Sequence, residues 1–455
     1  MTEKRSSFTG KIGFVLAAAG SAVGLGNIWR FPYLAAKYGG GIFLLVYIVL
    51  AVTFGFALMC AEIAIGRKTG QSAVNAFKSL DKRFGFVGVI GAIIPAIILP
   101  YYSVIGGWVT KYLFAFATGD AAASATDAYF GGFISKTGEP IVWFLIFIGL
   151  TALVVLMGVE KGVEKVSKVM MPVLVVLTIG ISVYSLTLDG AMEGVKYYLL
   201  PDFSKFSATT VLAAMGQLFY SMSLAMGIMI TYGSYMKKDV SIEKSVHQIE
   251  IFDTGIAFLS GLMIIPAVFA LPNFSEENLK AGPSLMFVTL PKVFERMPGG
   301  AFIGAAFFLL VLFAALTSSI SLMETVVSIV RDKFGWNRKI TCLAVLAFCI
   351  LLGIPSSLGF GRWDFISLNI GGETKTILDM FDFVSNSVLM PVVAFLTCIF
   401  IGYILKPKAI IEELGVGAPF KAKTLFTIII KFVAPVFIIL ILITAVLDLL
   451  GIMKI

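Results

Sequence analysis

Apolar stretches of about 20 residues follow one another along almost the whole chain, separated by short segments that carry most of the charges. A helix of this length crosses the hydrocarbon core of a bilayer, so the pattern predicts an all-α polytopic membrane protein. Little chain remains between the stretches, and residues 1–455 are expected to form a single transmembrane domain. Eleven spans are predicted, at residues 12–36, 41–66, 86–117, 141–158, 166–188, 207–236, 246–271, 299–330, 340–355, 376–405 and 425–450.

The charge distribution indicates how these spans are oriented. Only 14% of the residues are charged, against roughly a quarter in a soluble domain. Of the 35 Lys and Arg residues, about 22 fall on the N-terminal side of the membrane and about nine on the other. The N-terminus is therefore expected in the cytoplasm and the C-terminus outside the inner (plasma) membrane. The same bias accounts for the net charge of +8, so nucleic acid is not expected as a partner.

The first predicted span contains a break. Its centre reads GSAVGLGNIWRFP at residues 20–32, and each glycine there costs a helix about 1 kcal/mol relative to alanine. A helix that breaks inside the bilayer leaves carbonyl groups that suit sodium or potassium and amide groups that suit a carboxylate. Asn27 adds a side-chain oxygen and Arg30 a cation. The break therefore predicts a polar ligand near the membrane midplane.

The sixth predicted span is interrupted in a similar way. Gln217, Ser221 and Ser223 fall at its centre. Serine hydroxyls bonded back to their own helix are a common alternative explanation. However, this span lies five after the first, and because five is odd the two halves of the chain run in opposite directions. The pattern predicts a 5+5 inverted-repeat transporter fold with discontinuous helices 1 and 6, repeats at about 12–188 and 207–405, and an extra helix at about 425–450.

Further oxygen-bearing side chains lie in the seventh and eighth spans. Asp253 falls inside an apolar run, where an unpaired carboxylate costs a few kcal/mol. Thr317 and Ser318 belong to a run of hydroxyls that also fits simple helix packing. With Asn27 and Ser221 they form a set of hard oxygen donors, which sodium prefers. The one histidine and four scattered cysteines fit neither a transition-metal centre nor a hydrolase, so no enzyme activity and no organic cofactor are expected.

The first-helix sequence AVGLGNIWRFP at residues 22–32 resembles the first-helix motif of the neurotransmitter:sodium symporter family. The resemblance continues through KYGGG at 37–41, the Gln217 and Ser223 region, ITYGSY at 230–235 and LTSS at 316–319. The resemblance covers helices 1 to 10. Within the family, the chain resembles the bacterial amino-acid transporter branch with eleven helices. It implies two bound sodium ions and an amino acid held between the two breaks.

The resemblance also implies which residues bind these ligands. A first sodium site would use Ala22, Asn27, Ser221 and Asp253. A second sodium site would use Gly20, Val23, Ala314, Thr317 and Ser318. The substrate would contact both breaks and helices 3 and 8, through Ala22, Gly24, Leu25, Gly26, Ile98, Tyr102, Phe219, Tyr220, Ser221, Ser223, Met226, Ser318 and Leu322.

Moving parts are implied by the same resemblance. Two gates and one hinge would control access from the two sides of the membrane. Their residues would be Arg30 and Asp382 for the outer gate, with Asp379 as an alternative partner of Arg30; Arg5, Asp332 and Tyr235 for the inner gate; and Gly162 and Pro172 for a hinge in helix 5.

Two departures from the family pattern bear on the substrate and the ions. Members that carry monoamines have an aspartate where this chain has Gly24, so Gly24 favours an amino acid that brings its own carboxylate. Asp253 stands where many members have asparagine, and its fixed charge predicts chloride independence. The apolar pocket residues Ile98, Met226 and Leu322 favour a neutral hydrophobic substrate, aliphatic or aromatic.

The sequence thus predicts a sodium-coupled symporter that imports neutral hydrophobic amino acids by alternating access. A transporter of small amino acids or osmolytes, and an amino-acid sensor built on the same scaffold, stay open as alternatives. The expected partners are the amino acid, sodium and the lipid bilayer. The sequence leaves the oligomeric state, the preferred amino acid and the sodium stoichiometry open.

Overall fold

A computed structural model describes residues 7–271, 284–370 and 373–449. Nine continuous helices within these residues are long and apolar enough to cross a membrane. We number the membrane helices α1 to α11 in chain order. The nine continuous ones are α2 (Gly41–Thr69), α3 (Lys82–Thr118), α4 (Glu139–Leu156), α5 (Val159–Leu186), α7 (Ile242–Phe269), α8 (Gly300–Phe334), α9 (Arg338–Leu358), α10 (Ile377–Ile404) and α11 (Lys423–Leu447).

The two remaining helices are those predicted to be discontinuous. Helix α1 consists of Lys11–Ala22 and Gly26–Lys37, which meet at an angle of 52°. Helix α6 consists of Ala208–Ser221 and Ile228–Ser234, and a non-helical segment separates them. The predicted helical fold with two broken helices is therefore confirmed, and each predicted span corresponds to one of α1 to α11.

Local sequence signals explain where several helices begin. The Ser207 hydroxyl accepts a hydrogen bond from the amide of Thr210 at 3.1 Å and caps α6. The side chain of Asn337 caps α9 in the same way. At the start of α10, Thr376 and Asp379 form a reciprocal capping box, so the Asp379 carboxylate is already engaged by the Thr376 amide and hydroxyl.

Helix ends extend past the apolar stretches that predicted them. Helix α2 continues to Thr69, beyond the predicted end at residue 66, and Gly70 ends it with a φ of 63°. The extra turn contains Arg67 and Lys68, and cations are favourable at the C-terminal end of a helix. Helix α8 likewise continues to Phe334 past Arg331 and Lys333.

The broken helices lie inside the protein. The first half of α1 packs against α5, α7 and α8, and α3 packs along α8. The second half of α6 packs against α2, where Gly66 allows the carbonyl of Ile230 to approach and Gly233 does the same for Ile63. These close contacts surround the two breaks with packed helices.

Shorter elements connect the membrane helices. Two short strands, β1 (Leu368–Ile370) and β2 (Glu373–Lys375), form an antiparallel sheet in which Leu368 pairs with Lys375. Short helices cover Ala73–Leu80, Ala121–Ser124, Asp127–Ile134, Ala191–Leu199, Leu290–Arg296 and Pro407–Leu414.

Candidate functional site

The break in α1 lies between Ala22 and Gly26. The amide of Gly24 donates to the side-chain oxygen of Asn27 at 3.1 Å, and the amide of Leu25 lies 3.3 Å from the Tyr102 hydroxyl. A Cβ at Gly24 would lie 2.6 Å from the Ser318 hydroxyl oxygen, so the backbone approaches α8 closely. Only glycine, which has no side chain, permits this close approach, and this explains the glycine at position 24.

The break in α6 is held in a strained conformation. Ser223, Ala225 and Gly227 have positive φ values of 54°, 61° and 70°. For the two residues with side chains this conformation costs roughly 1–3 kcal/mol each. The buried carboxylate of Glu62, in α2, accepts a hydrogen bond from the Ala225 amide at 2.6 Å and so supports the unwound segment. Glu62 was not predicted, although an acidic residue in an apolar run is a signal.

The two breaks face each other across the site. The hydroxyl of Ser223 donates to the carbonyl of Ser21 at 3.0 Å and lies 3.0 Å from the Ser21 hydroxyl oxygen. The side-chain amide of Gln217 donates to the carbonyl of Gly26 at 2.8 Å. Both contacts join the helix ends that flank the break in α1 to α6, as the inverted-repeat pattern predicts.

A cavity lies between the breaks. Twelve of the thirteen predicted substrate residues line it: Ala22, Gly24, Leu25, Gly26, Ile98, Tyr102, Tyr220, Ser221, Ser223, Met226, Ser318 and Leu322.

Phe219 is the predicted residue that does not line the cavity. Its ring packs against Phe54, with ring centroids 5.4 Å apart. Its side chain points away because neighbouring residues of a helix face different directions, and Tyr220 and Ser221 face the cavity instead. Ser21 and Ile228 line the cavity and were not predicted, although each adjoins a predicted break.

Four buried polar side chains form a cluster beside this cavity. The carboxylate of Asp253 accepts hydrogen bonds from the Asn27 amide at 2.7 Å, the Ser221 hydroxyl at 2.6 Å and the Tyr47 hydroxyl at 3.0 Å. Each of these residues is at most 1% exposed. The sequence predicted three of the four. Tyr47 was missed, although a tyrosine inside an apolar run needs a partner for its hydroxyl.

A second set of oxygen atoms meets between α1 and α8. The Ser318 hydroxyl oxygen lies 3.4 Å from the carbonyl oxygens of both Gly20 and Val23. The Thr317 hydroxyl lies 3.1 Å from the carbonyl oxygen of Ala314. The five residues predicted for the second sodium site are thus neighbours.

A wide vestibule lies on one side of the cavity. We call this the outer side, following the predicted orientation. Arg30 and Asp382 both line the vestibule. The Arg30 guanidinium lies 5.1 Å from the ring centre of Tyr220, and Asp382 accepts hydrogen bonds from Tyr101 and Asn386. In the described part of the chain no salt bridge joins Arg30 to Asp382, although both side chains line the vestibule.

The inner side is closed by packed and hydrogen-bonded side chains. The Tyr235 hydroxyl donates to the buried carboxylate of Glu324 at 2.9 Å, and Glu324 forms a salt bridge with Arg338. Phe8 packs edge-on against Tyr235. Glu324 and Arg338 were missed, although Glu324 interrupts an apolar run.

The predicted inner gate is only partly described. Arg5 lies outside the described residues. The carboxylate of Asp332 accepts a hydrogen bond from the Ser72 amide at 2.9 Å. Asp332 therefore lies at the inner end of α8 beside the start of the Ala73–Leu80 helix.

The predicted hinge residues lie in α5. Gly162 is within a π-helical turn, Val159–Glu164, and Pro172 lies further along the same helix. Glu164 accepts hydrogen bonds from the amide and hydroxyl of Thr9, which tie the start of the described chain to this turn. A π turn is a local irregularity of the kind found at functional positions.

Among the described residues, no group of three or more His, Cys, Asp or Glu side chains is arranged to hold a metal ion. The four cysteines are buried and unpaired.

The architecture and the facing breaks define a secondary transporter of the inverted-repeat class. The model of the sodium:neurotransmitter symporter family matches residues 5–130 and 130–452, and the chain belongs to this family. It is therefore a sodium-dependent membrane transporter and not an enzyme. The predicted family and fold class are confirmed.

Several relatives match nearly the whole chain. The crystal structure of MhsT in complex with L-phenylalanine has a TM-score of 0.88 and 38% identity, covering 97% of this chain and 100% of that chain. The sodium-dependent transporter YhdH of Bacillus subtilis is 37% identical over 96% of this chain and 97% of its own length. The sodium- and chloride-dependent taurine transporter of Rattus norvegicus is 28% identical over 88% of this chain and 71% of its own length.

Proposed function

We propose that the protein is a sodium-coupled symporter that imports neutral hydrophobic amino acids, aliphatic or aromatic, by alternating access. The observation that carries this proposal is the cavity between the two breaks. Main-chain groups and hydroxyls line one part of it, and Ile98, Met226, Ile228 and Leu322 line another. Among the described residues that line it, none has a charged side chain, so the charges of a zwitterion must meet main-chain dipoles, hydroxyls and ions.

The amide groups of Gly24, Leu25 and Gly26 suit the substrate carboxylate. They lie at the start of the second half of α1, where the helix dipole favours an anion. The Tyr102 hydroxyl, 3.3 Å from the Leu25 amide, would provide another donor. A Cβ at Gly24 would meet Ser318 and Tyr102, which supports a substrate that brings its own carboxylate.

The pair of serines, Ser21 and Ser223, suits the substrate ammonium group. The Ser223 hydroxyl donates to the Ser21 carbonyl, and the Ser21 hydroxyl is within hydrogen-bond distance of the Ser223 oxygen. When both hydroxyl hydrogens are used in this way, only oxygen lone pairs point toward a ligand. The ammonium group supplies three donors and no acceptor, so it complements this pair.

Two sodium ions would bind beside the substrate. The first would use Ala22, Asn27, Ser221 and Asp253, together with the substrate carboxylate. Burial of the Asp253 carboxylate among three neutral donors supports this assignment, because an anion in the membrane interior needs a counter-ion. The second ion would use the oxygens that meet between α1 and α8, from Gly20, Val23, Ala314, Thr317 and Ser318.

We propose that transport does not need chloride. The fixed negative charge of Asp253 lies next to the first sodium position and would balance it without an added anion. This distinguishes the chain from its relative in Rattus norvegicus, whose name specifies chloride dependence. Uptake that is stimulated by chloride in the unmodified protein would contradict this part of the proposal.

The substrate class rests on the apolar part of the cavity. The methionine side chain is flexible and can repack around different ligands, and one methylene changes affinity by only about 1–3 kcal/mol. A range of hydrophobic side chains is therefore expected. The phenylalanine bound to MhsT, which is 38% identical, supports the same class.

Alternating access would use the gates on both sides. With the vestibule open and the inner side closed, sodium and substrate would enter from outside and bring Arg30 and Asp382 together. Unwinding of α5 near Gly162 and Pro172, and release of the contacts of Tyr235 and Asp332, would then open the inner side. Each ligand shifts the equilibrium by its different affinity for the two states. The N-terminus would be cytoplasmic in the plasma membrane, with repeats at about 12–188 and 207–405.

Binding to the purified protein tests the substrate assignment. We expect labelled tryptophan, phenylalanine or leucine to bind in sodium and not in potassium, and taurine, glycine and lysine to compete poorly. Preferential binding of taurine or glycine would favour a transporter of osmolytes or small amino acids. Equal substrate binding in the presence and absence of sodium would contradict the proposed sodium sites. Binding without accumulation in vesicles would indicate a sensor.

A further inference from the structure

Two π-helical turns face each other near one end of α10 and α11. They are Phe400–Ile404 in α10 and Ile429–Val433 in α11. The helices approach closely, because a Cβ at Gly402 would lie 3.4 Å from a side-chain carbon of Lys431. The Tyr403 hydroxyl donates to the carbonyl of Lys431 at 2.7 Å. A π turn disturbs the regular helix hydrogen bonds, and such turns often occur at functional positions.

Lys431 is a cation inside a membrane-spanning helix. Its ammonium nitrogen lies 5.4 Å from the ring centre of Tyr403 and 5.7 Å from that of Phe432. Within the described residues, no carboxylate lies within ion-pair distance of it. Tyr403 is 49% and Phe432 58% exposed, and in a membrane span such rings face lipid. We call Tyr403, Lys431 and Phe432 the lysine notch.

Other basic residues lie toward the same end of these helices. Lys423, Thr427 and Lys431 are spaced four residues apart and so share one face of α11. Lys406 and Lys408 follow the end of α10 and are exposed. A lysine within a span extends its ammonium group toward the nearer interface, and basic clusters at helix ends attract anionic lipids.

We propose that the lysine notch binds the phosphate group of an anionic phospholipid. The site offers a cation with no acidic partner among the described residues, aromatic rings that face the lipid chains, and further lysines along the same helix ends. A neutral lipid would not satisfy this charge, and a soluble anion would not contact the exposed rings. In the orientation proposed above the notch lies in the cytoplasmic leaflet, but lipid binding itself does not depend on orientation or on the transported substrate.

The test uses the full chain purified in an uncharged detergent. Three compounds are titrated separately: dioctanoyl-phosphatidylglycerol, dioctanoyl-phosphatidylcholine and inorganic phosphate. The melting temperature of the protein is measured in each titration, and bound lipid is detected by native mass spectrometry. The variants are Lys431→Met, Lys431→Arg and the control Lys333→Gln. Lys333 also lies over an aromatic ring, that of Phe334, at 5.4 Å. Folding should tolerate Lys431→Met because it replaces a charge in the membrane by an apolar side chain.

We expect phosphatidylglycerol to stabilise the unmodified protein, Lys431→Arg and Lys333→Gln alike. Its apparent affinity for Lys431→Met should be weaker by about fivefold, the effect of one lysine near a charged membrane surface. Equal affinity for Lys431→Met would overturn the proposal. It would also be overturned if phosphatidylcholine or inorganic phosphate acted as strongly as phosphatidylglycerol, or if phosphatidylglycerol had no effect on the unmodified protein.

Discussion

The side-chain amide of Asn27 donates to both a carboxylate oxygen of Asp253, at 2.7 Å, and the main-chain carbonyl of the same residue, at 3.1 Å. The break in α1 is thereby joined to α7 through one pair of residues. Both are fully buried. Among the described residues, the Asp253 carboxylate has three neutral donors and no salt bridge. Substitutions at this site therefore test the proposed sodium dependence.

Replacing Asp253 by asparagine should weaken sodium binding. The substitution keeps the size of the side chain and removes the charge that the ion would balance. We expect the sodium concentration for half-maximal substrate binding to rise at least roughly tenfold, about 1.4 kcal/mol. Chloride should stimulate the variant and not the unmodified protein. Asp239→Asn, which changes an exposed aspartate, is the control. Unchanged sodium dependence in Asp253→Asn would remove Asp253 from the site.

Tyr47→Phe tests a residue that the sequence did not indicate. The Tyr47 hydroxyl donates to Asp253 and lies 3.2 Å from Ser221, so it orients two proposed sodium ligands. Loss of one such hydrogen bond is worth about 0.5–1.5 kcal/mol, or roughly a two- to twelvefold loss of sodium affinity. The matched control is Tyr184→Phe, because the Tyr184 hydroxyl donates to the main-chain carbonyl of Pro298 at the surface. Equal sodium affinity in the two variants would show that Tyr47 has only a packing role.

Gly24→Ala should impair substrate binding. The added methyl group would lie 2.6 Å from the Ser318 oxygen and 3.1 Å from the Tyr102 oxygen. Overpacking of this kind costs about 1–3 kcal/mol, so substrate affinity should fall roughly five- to 150-fold. Gly180→Ala is the control, since a Cβ at Gly180 meets no atom within 4 Å. Normal substrate affinity in Gly24→Ala would mean that the carboxylate binds elsewhere.

Closure of the outer gate can be followed with a cysteine at Leu212, which lines the vestibule. The four native cysteines are buried, so their background reaction should be low. We expect a membrane-impermeant thiol reagent to label Leu212→Cys in sodium alone. Adding the substrate should slow labelling, on the order of tenfold, as Arg30 and Asp382 approach each other. Asp382→Asn should abolish this protection. Protection that persists in Asp382→Asn would contradict the gate.

Pro172→Ala tests the hinge in α5. Proline lacks an amide hydrogen and so weakens the helix around it, whereas alanine favours the helix. We expect this variant to bind sodium and substrate normally but to transport more slowly, because opening of the inner side requires unwinding. Pro355→Ala, in α9, is the control. Equal transport rates in the two variants would exclude Pro172 from the hinge.

The fold could be predicted because it depends on local signals, and the family resemblance named most of the residues that line the cavity between the breaks. Long apolar stretches give the spans, and glycine in α1 and serine in α6 mark the breaks. Helix ends such as Thr69 were less predictable, since charged residues continue a helix beyond its apolar part.

Other features depend on contacts between distant residues. The buried salt bridge between Arg67 and Glu413 joins residues 346 positions apart. The role of Tyr47 likewise depends on α2 packing beside α7. Phe219 shows that the direction of a single side chain is hard to predict from sequence. A shift of one position along the helix turns a side chain from the cavity into the surrounding core.

Uptake into proteoliposomes tests the central claim most directly. Purified protein is reconstituted, and accumulation of labelled tryptophan, phenylalanine or leucine is measured with an inward sodium gradient and with equal sodium on both sides. We predict accumulation above the external concentration only with the gradient, and loss of that accumulation when sodium is equalised. Uptake that merely reaches equilibrium, or accumulation that does not change with the sodium gradient, would contradict sodium-coupled symport.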